Sequence, residues 1–190
     1  MRLFVAIDLT DDARQAIAAT QTRIAARMEG VGSPRFVRAE DLHLTLAFIG
    51  EVDETTGAAI AGAMAADIDQ EPFDLVFGGV GVFPAAGAPR VLWLGVTRGA
   101  ESAAALERQV AERLDGAGVR REPRPFTPHL TLARWRRSRP SDARRAVAEH
   151  VGAVAHVPVT GVTLYQSRLS ASGPSYAVLR RTSLGPRRAR

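Results

Sequence analysis

The tetrapeptide His-Leu-Thr-Leu stands at residues 43–46 and again at residues 129–132, and the two copies hold two of the chain's four histidines. A strand sends residues i and i+2 to one face, so each copy presents an imidazole and a hydroxyl on one side and two leucines on the other. The leucines demand a core behind each strand. Set side by side, the two strands would make a cleft holding two imidazoles and two hydroxyls. Imidazoles titrate near neutrality, so the pair can supply a general base and a general acid at one pH, as in-line displacement at a phosphoryl group requires.

The segments around the motifs read as alternating strands and helices. Arg2 to Asp8 alternates as a strand, Thr10 is a natural N-cap, and Asp11 to Arg27 is expected to be helical. Phe36 to Arg38 reads as a short extended piece, and Leu42 to Ile49 as the first motif strand, closed by Gly50. Asp53 to Asp69 is an Ala-rich helix. Phe73 to Phe83 and Val91 to Val96 read as strands, with Gly78 to Gly81 as a bulge in the first; Glu101 to Leu114 has helical spacing.

The second half then replays the first. Glu122 to Pro128 leads into the strand His129 to Ala133, Ser141 caps a short helix to His150, and Val157 to Leu169 and Tyr176 to Arg181 form strands around a turn at Ser170 to Pro174. Two comparable halves, each with one motif, imply an α+β protein with internal pseudo-twofold symmetry. No Gly-, Ser- or Pro-rich linker separates them, so residues 1–184 are expected to form one bilobal domain, followed by a basic, disordered tail at 185–190.

Composition narrows the function further. The chain has 190 residues, 46% of them hydrophobic, enough for a packed core. It contains no cysteine, which excludes disulfides, thiolate nucleophiles and cysteine-ligated metal centres. The run Leu3 to Ile7 is too short for a signal sequence, and no stretch nears a membrane span, so a cytoplasmic protein is expected. All 25 basic residues are arginine. Residues 1–115 carry 10 arginines against 17 acidic residues, a balance of −7; residues 116–190 carry 15 against 3, a balance of +12. Arginine's planar fork suits phosphate, so the basic half suggests an anionic partner such as RNA, while the absence of lysine equally suits a general compositional bias.

The motifs and their flanks resemble those of the 2H phosphoesterases, in particular the bacterial and archaeal RNA 2′,3′-cyclic phosphodiesterases, also called 2′-5′ RNA ligases. The similarity runs through Met1 to Asp8, His43 to Val52, Gly81 to Pro84, Pro89 to Trp93, Arg124 to Arg134, and Ser167 to Leu169 before Tyr176. It implies two pseudo-symmetric antiparallel β-sheet lobes, flanked by helices, around a central cleft. It also implies His43 as proton donor and His129 as proton acceptor, an order that the residues themselves leave open. Thr45, Thr131 and Arg134 would bind the substrate phosphate, with no metal and no cofactor. The implied substrate is RNA ending in a 2′,3′-cyclic phosphate, the implied product a 2′-phosphomonoester, and the implied state a monomer. Reverse 2′-5′ ligation is open to the same chemistry.

Three other readings compete. The same chemistry could serve a small cyclic nucleotide such as ADP-ribose cyclic phosphate, or the cleft could bind RNA ends without turnover. A metallohydrolase fits poorly, because two isolated histidines lack the usual third ligand and the His-Glu-x-x-His spacing. The other histidines read as structural or surface groups: His150 lies near a helix C-terminus and His156 opens a strand. Phe126 and Trp93 are candidates for stacking on a base, although core packing suits Trp93 better inside its apolar strand.

Overall fold

The computed structural model describes residues 1–28, 34–119, 125–148, 151–170 and 173–186. Its strands are β1 (Arg2–Ile7), β2 (Arg35–Phe36), β3 (Leu44–Glu51), β4 (Ile68–Asp69), β5 (Phe73–Phe83), β6 (Val91–Arg98), β7 (His129–Arg134), β8 (Ala153–Val159), β9 (Gly161–Ser170) and β10 (Gly173–Gly185). The helices are α1 (Asp11–Arg27), α2 (Glu54–Ala63), α3 (Ala100–Gly116) and α4 (Pro140–Ala146), with a single 3-10 turn at Ala39–Asp41.

The strands form two sheets of five. The first has the order β3-β1-β9-β10-β4 and the second β2-β7-β6-β5-β8. All pairs are antiparallel except β10 with β4. Each sheet carries one motif, yet the sheets are not the two halves of the chain. The last strands, β9 and β10, return to pair beside β1, and the middle of the chain builds most of the second sheet. The helices cross as well: α1 leaves the first sheet to pack on β8 of the second, while α3 leaves the second sheet to pack on β3 of the first. Leucines at 44, 46, 130 and 132 are all buried, as are the α1 and α3 residues that cover them, among them Ile17, Ile24, Leu106 and Val110. Burial of each such side chain contributes about 1.5–3 kcal/mol.

Several boundaries differ from the sequence reading: the short helix expected to reach His150 ends at Ala146, so His150 is not at its C-terminus, and His156, expected to open a strand, lies inside β8. The expected strand Val157 to Leu169 is two strands, broken at Thr160, one in each sheet. The Ala-rich helix expected to reach Asp69 stops at Ala63, because Ile68 is drawn into a parallel pair with Leu184. Asp53 caps it, accepting the Thr56 N–H at 2.7 Å. The short helix expected from Ser141 starts at Pro140 instead. Its cap is Arg139, whose backbone N–H is taken by the buried Asp142 carboxylate at 2.7 Å, and proline suits a first turn that has no partner for its N–H. The expected short segment Phe36 to Arg38 pairs with β7 at Arg35–Phe36.

The Gly78–Gly81 bulge is present: the β5–β6 register slips between Gly78 and Val80, with Gly79 at φ +69. Gly99 opens α3 at φ +85, where a Cβ would lie 2.2 Å from the Asp74 carbonyl oxygen. The residues at 149–150, 171–172 and 187–190, including His150 and most of the basic tail, lie outside the described residues.

Candidate active site

β3 and β7 lie against each other across the boundary between the sheets. Their polar faces line a cavity of about 510 Å³, to which the first sheet contributes His43 and Thr45 and the second His129, Thr131 and Arg134. All five residues singled out from sequence are therefore brought together.

The two imidazoles are held in the same way. His43 Nδ1 lies 2.7 Å from the Asp41 carbonyl oxygen, and His129 Nδ1 lies 2.7 Å from the Thr127 carbonyl oxygen. A carbonyl only accepts, so Nδ1 carries the proton in both rings and Nε2 is left for a reacting group. Each partner sits two residues upstream, which makes the local geometry a property of the repeated motif and its lead-in.

Aromatic neighbours fix the ring planes. His43 stacks on Phe4 (4.9 Å, 28°) and meets the edge of Tyr176 (5.5 Å, 87°). Phe4 in turn stacks on Tyr165 (5.2 Å, 19°). Asp8 braces this column, accepting from the Tyr165 hydroxyl at 2.6 Å and the Thr163 hydroxyl at 2.7 Å. Burial, aided by the bond to Asp8, pushes the Tyr165 phenol up to about 12, so it remains a donor. Burial also holds the His43 imidazolium below the ordinary histidine range, opposed in part by the Asp41 carbonyl and by the charges of Asp8 and Asp41. On the other side, His129 meets the edge of Phe83 (5.0 Å, 84°).

Several supporting residues had no role in the sequence reading. Arg38 Nε binds Asp41 Oδ2 at 2.7 Å, and its Nη2 donates to the Pro174 carbonyl at 3.3 Å, tying the 3-10 turn before His43 to the start of β10. Arg14 of α1 donates to the Ala39, Glu40 and Leu42 carbonyls at 3.3, 3.1 and 2.9 Å. The buried Gln21 amide donates to the Val37 carbonyl at 3.0 Å and the Leu132 carbonyl at 2.9 Å, pinning the second motif strand from behind. The lead-in Arg38-Ala39-Glu40-Asp41 was visible as an acidic approach; its ion pair at i, i+3 was the signal for the latch.

Trp93, expected in the core, is instead half-buried on the face of β6 that pairs with Thr131. It pairs in register with Thr131, approaches His129 (6.3 Å), and lies against Gly81, where a Cβ would fall 2.1 Å from the indole. Phe126 packs against the core. His156 binds Asp74 at 3.0 Å on the partner strand β5, away from the cavity. Among the described residues no group of three or more His, Cys, Asp or Glu gathers to hold a metal ion, and no helix is long and apolar enough to cross a membrane.

An α+β fold of two antiparallel-rich sheets, each presenting a His-x-Thr motif to a shared cleft, defines a two-histidine phosphoesterase architecture. Comparison with known proteins gives the particular family. Residues 11–170 match the model of the 2′-5′ RNA ligase superfamily. The chain is 38% identical over 183 residues to the RNA 2′,3′-cyclic phosphodiesterase of Archaeoglobus fulgidus, covering 95% of this chain and 98% of that one. It is 36% identical over 197 residues to the enzyme of the same name from Thermus thermophilus, covering 97% and 90%. Among solved structures it superposes on E. coli LigT complexed with 3′-AMP with a TM-score of 0.78 and 31% identity, over 96% of this chain and 97% of that one. The chain belongs to the 2′-5′ RNA ligase superfamily.

Proposed function

We propose that this protein is an RNA 2′,3′-cyclic phosphodiesterase that opens cyclic phosphate ends to 2′-phosphomonoesters by two-histidine acid/base catalysis. The observation that carries the reading is the matched pair of imidazoles, each with Nδ1 committed to a backbone carbonyl and Nε2 uncommitted, lining one cavity with Thr45, Thr131 and Arg134. The RNA 2′,3′-cyclic phosphodiesterases among its relatives support the substrate.

In this mechanism His129 takes a proton from water as the oxygen attacks phosphorus, and the bond from phosphorus to the ribose 3′-oxygen breaks. His43 delivers its proton to that departing oxygen, leaving a free 3′-hydroxyl and a 2′-phosphate. Each proton transfer contributes roughly 10²- to 10⁴-fold. Thr45 and Thr131 donate to the non-bridging oxygens, and Arg134 neutralises charge that builds in the transition state. The low proton affinity of His43 in the free protein makes it a strong acid once charged, and the anionic substrate entering beside it favours the charged form. Replacing water by an RNA 5′-hydroxyl in the same step forms a bond from phosphorus to that 5′-oxygen as the bond to the 3′-oxygen breaks, which gives 2′-5′ ligation.

The unit that acts is residues 1–185, one residue longer than expected, because the first sheet needs strands from both ends of that range and β10 runs to Gly185, which pairs with Asp69. We place the enzyme in the cytoplasm as a monomer. The test is incubation of an oligoribonucleotide bearing a 2′,3′-cyclic phosphate, with EDTA present, followed by analysis of the product ends. A 2′-phosphate is expected. A 3′-phosphate would reverse the geometry, and an untouched substrate would refute the reading.

A further inference from the structure

We propose that helix α1 is the strut that fixes the separation of the two imidazoles, with Arg14 and Gln21 as positioning residues at its two grips, an inference that rests on the two-histidine reading of the cleft. β3 and β7 belong to different sheets, so no backbone ladder joins the strand that follows His43 to the strand that holds His129. Something else must set their spacing. α1 packs both on β8 of the second sheet and on the 3-10 turn that leads into His43, so it spans the boundary between the sheets.

The grips lie seven residues apart, nearly two turns, so they share a face of the helix and stand roughly 10 Å apart along its axis. Ile17, fully buried between them, seats the helix. At one grip the Gln21 amide donates to the carbonyls of Val37 at 3.0 Å and Leu132 at 2.9 Å, which ties α1 to the second motif strand itself. At the other, Arg14 Nη1 donates to the carbonyls of Ala39, Glu40 and Leu42. The carbonyl it leaves, that of Asp41, is the one that orients His43. Of four successive carbonyls, three therefore go to the guanidinium and one to the imidazole. The segment between the grips' targets is also the crossing from one sheet to the other: the Val37 N–H bonds the Leu132 carbonyl at 2.9 Å, and β3 begins at Leu44. α1 clamps both ends of that crossing. A shift of about 1 Å in a reacting group is enough to cost about 10²-fold in rate, so the spacing matters to the chemistry.

The experiment measures kcat and KM on an oligoribonucleotide 2′,3′-cyclic phosphate for R14M and Q21M, which keep an apolar stem and lose the donors. Each should lower kcat roughly 10- to 100-fold with KM nearly unchanged, and R14K, which keeps a charged donor, should recover part of the loss. Two sites this far apart give losses that multiply when they act independently. For a single strut, R14M/Q21M should cost about as much as the worse single variant. Multiplied losses, or losses confined to KM, would overturn the strut. Should a methionine variant fail to fold, R14K and Q21N, which keep a donor but misplace it, go through the same comparison. Nitrogen-15 spectra of the imidazoles read the positions without turnover: each substitution should move the Nδ1 resonances of both His43 and His129, and movement of the nearer one alone would overturn the proposal. If the unaltered protein leaves the substrate intact, the phosphodiesterase reading fails separately, and the spectra alone decide the strut.

Discussion

His43 and His129 share a tautomer, and His43 is pressed between aromatic rings in a way that costs its cation its solvent. The pH consequences follow from that burial. As proton donor, His43 must be charged, so kcat/KM should begin to fall with rising pH sooner than an ordinary imidazole near pH 6.5 would dictate. The bound phosphate opposes the burial, so the same limb of kcat should lie at higher pH; coincident limbs in the two profiles would remove His43 from that role. Stability carries the same signature. Unfolded, His43 takes up its proton near pH 6.5; folded, it resists until the pH is lower. Its contribution to stability is therefore complete above the unfolded value and is lost as pH falls through the folded one, and H43A should flatten this limb in denaturation measured across that window. For turnover, H43A and H129A should each cost roughly 10²- to 10⁴-fold, and the double variant little more than either single one, because the two groups act on one displacement. Additive losses would mean independent roles.

The 3-10 turn at Ala39–Asp41 holds the carbonyl that orients His43, and Arg38 fastens it to the start of β10. R38A should lower kcat by roughly 10- to 100-fold through misplacement of the imidazole, with a smaller change in KM. A change confined to KM would instead put Arg38 on the substrate. The motif strands and their four polar residues were legible in sequence because period-2 alternation and duplication coincide there. The bulge in β3 was not: the β1–β3 register passes from Ala6 with Thr45 to Val5 with Ala47, leaving Leu46 as an extra residue, and the hydrophobic pattern continues unbroken while the backbone slips. The break at Thr160 did leave a trace. Buried apolar residues fall on odd numbers at Ala155, Val157 and Val159, then on even numbers at Val162 and Leu164, and such a shift of phase cannot occur within one regular strand. Gln21 was hidden for another reason: a polar residue inside a helix pattern reads as surface, and only the tertiary fold shows that two strand carbonyls need its amide.

Across the whole molecule the charge is unevenly placed, and exposed Arg136, Arg137 and Arg139 follow directly from the cleft residue Arg134. Binding of a longer RNA should weaken linearly with log salt, and R136A/R137A should flatten the slope by about 0.7 for each phosphate contact removed. An unchanged slope would return these arginines to compositional bias. The interleaving of the sheets has a kinetic consequence. Strands β5 to β8 of the second sheet follow one another in the chain, but the first sheet must pair Phe4 with Tyr165 across nearly its whole length. Closing so long a loop is slow relative to local pairing. The chain has two tryptophans, Trp93 in β6 and Trp135 just after β7, both reporting on the second sheet. On dilution from denaturant their fluorescence should recover before catalysis does, so that for a time the protein holds an ordered base and no seated acid.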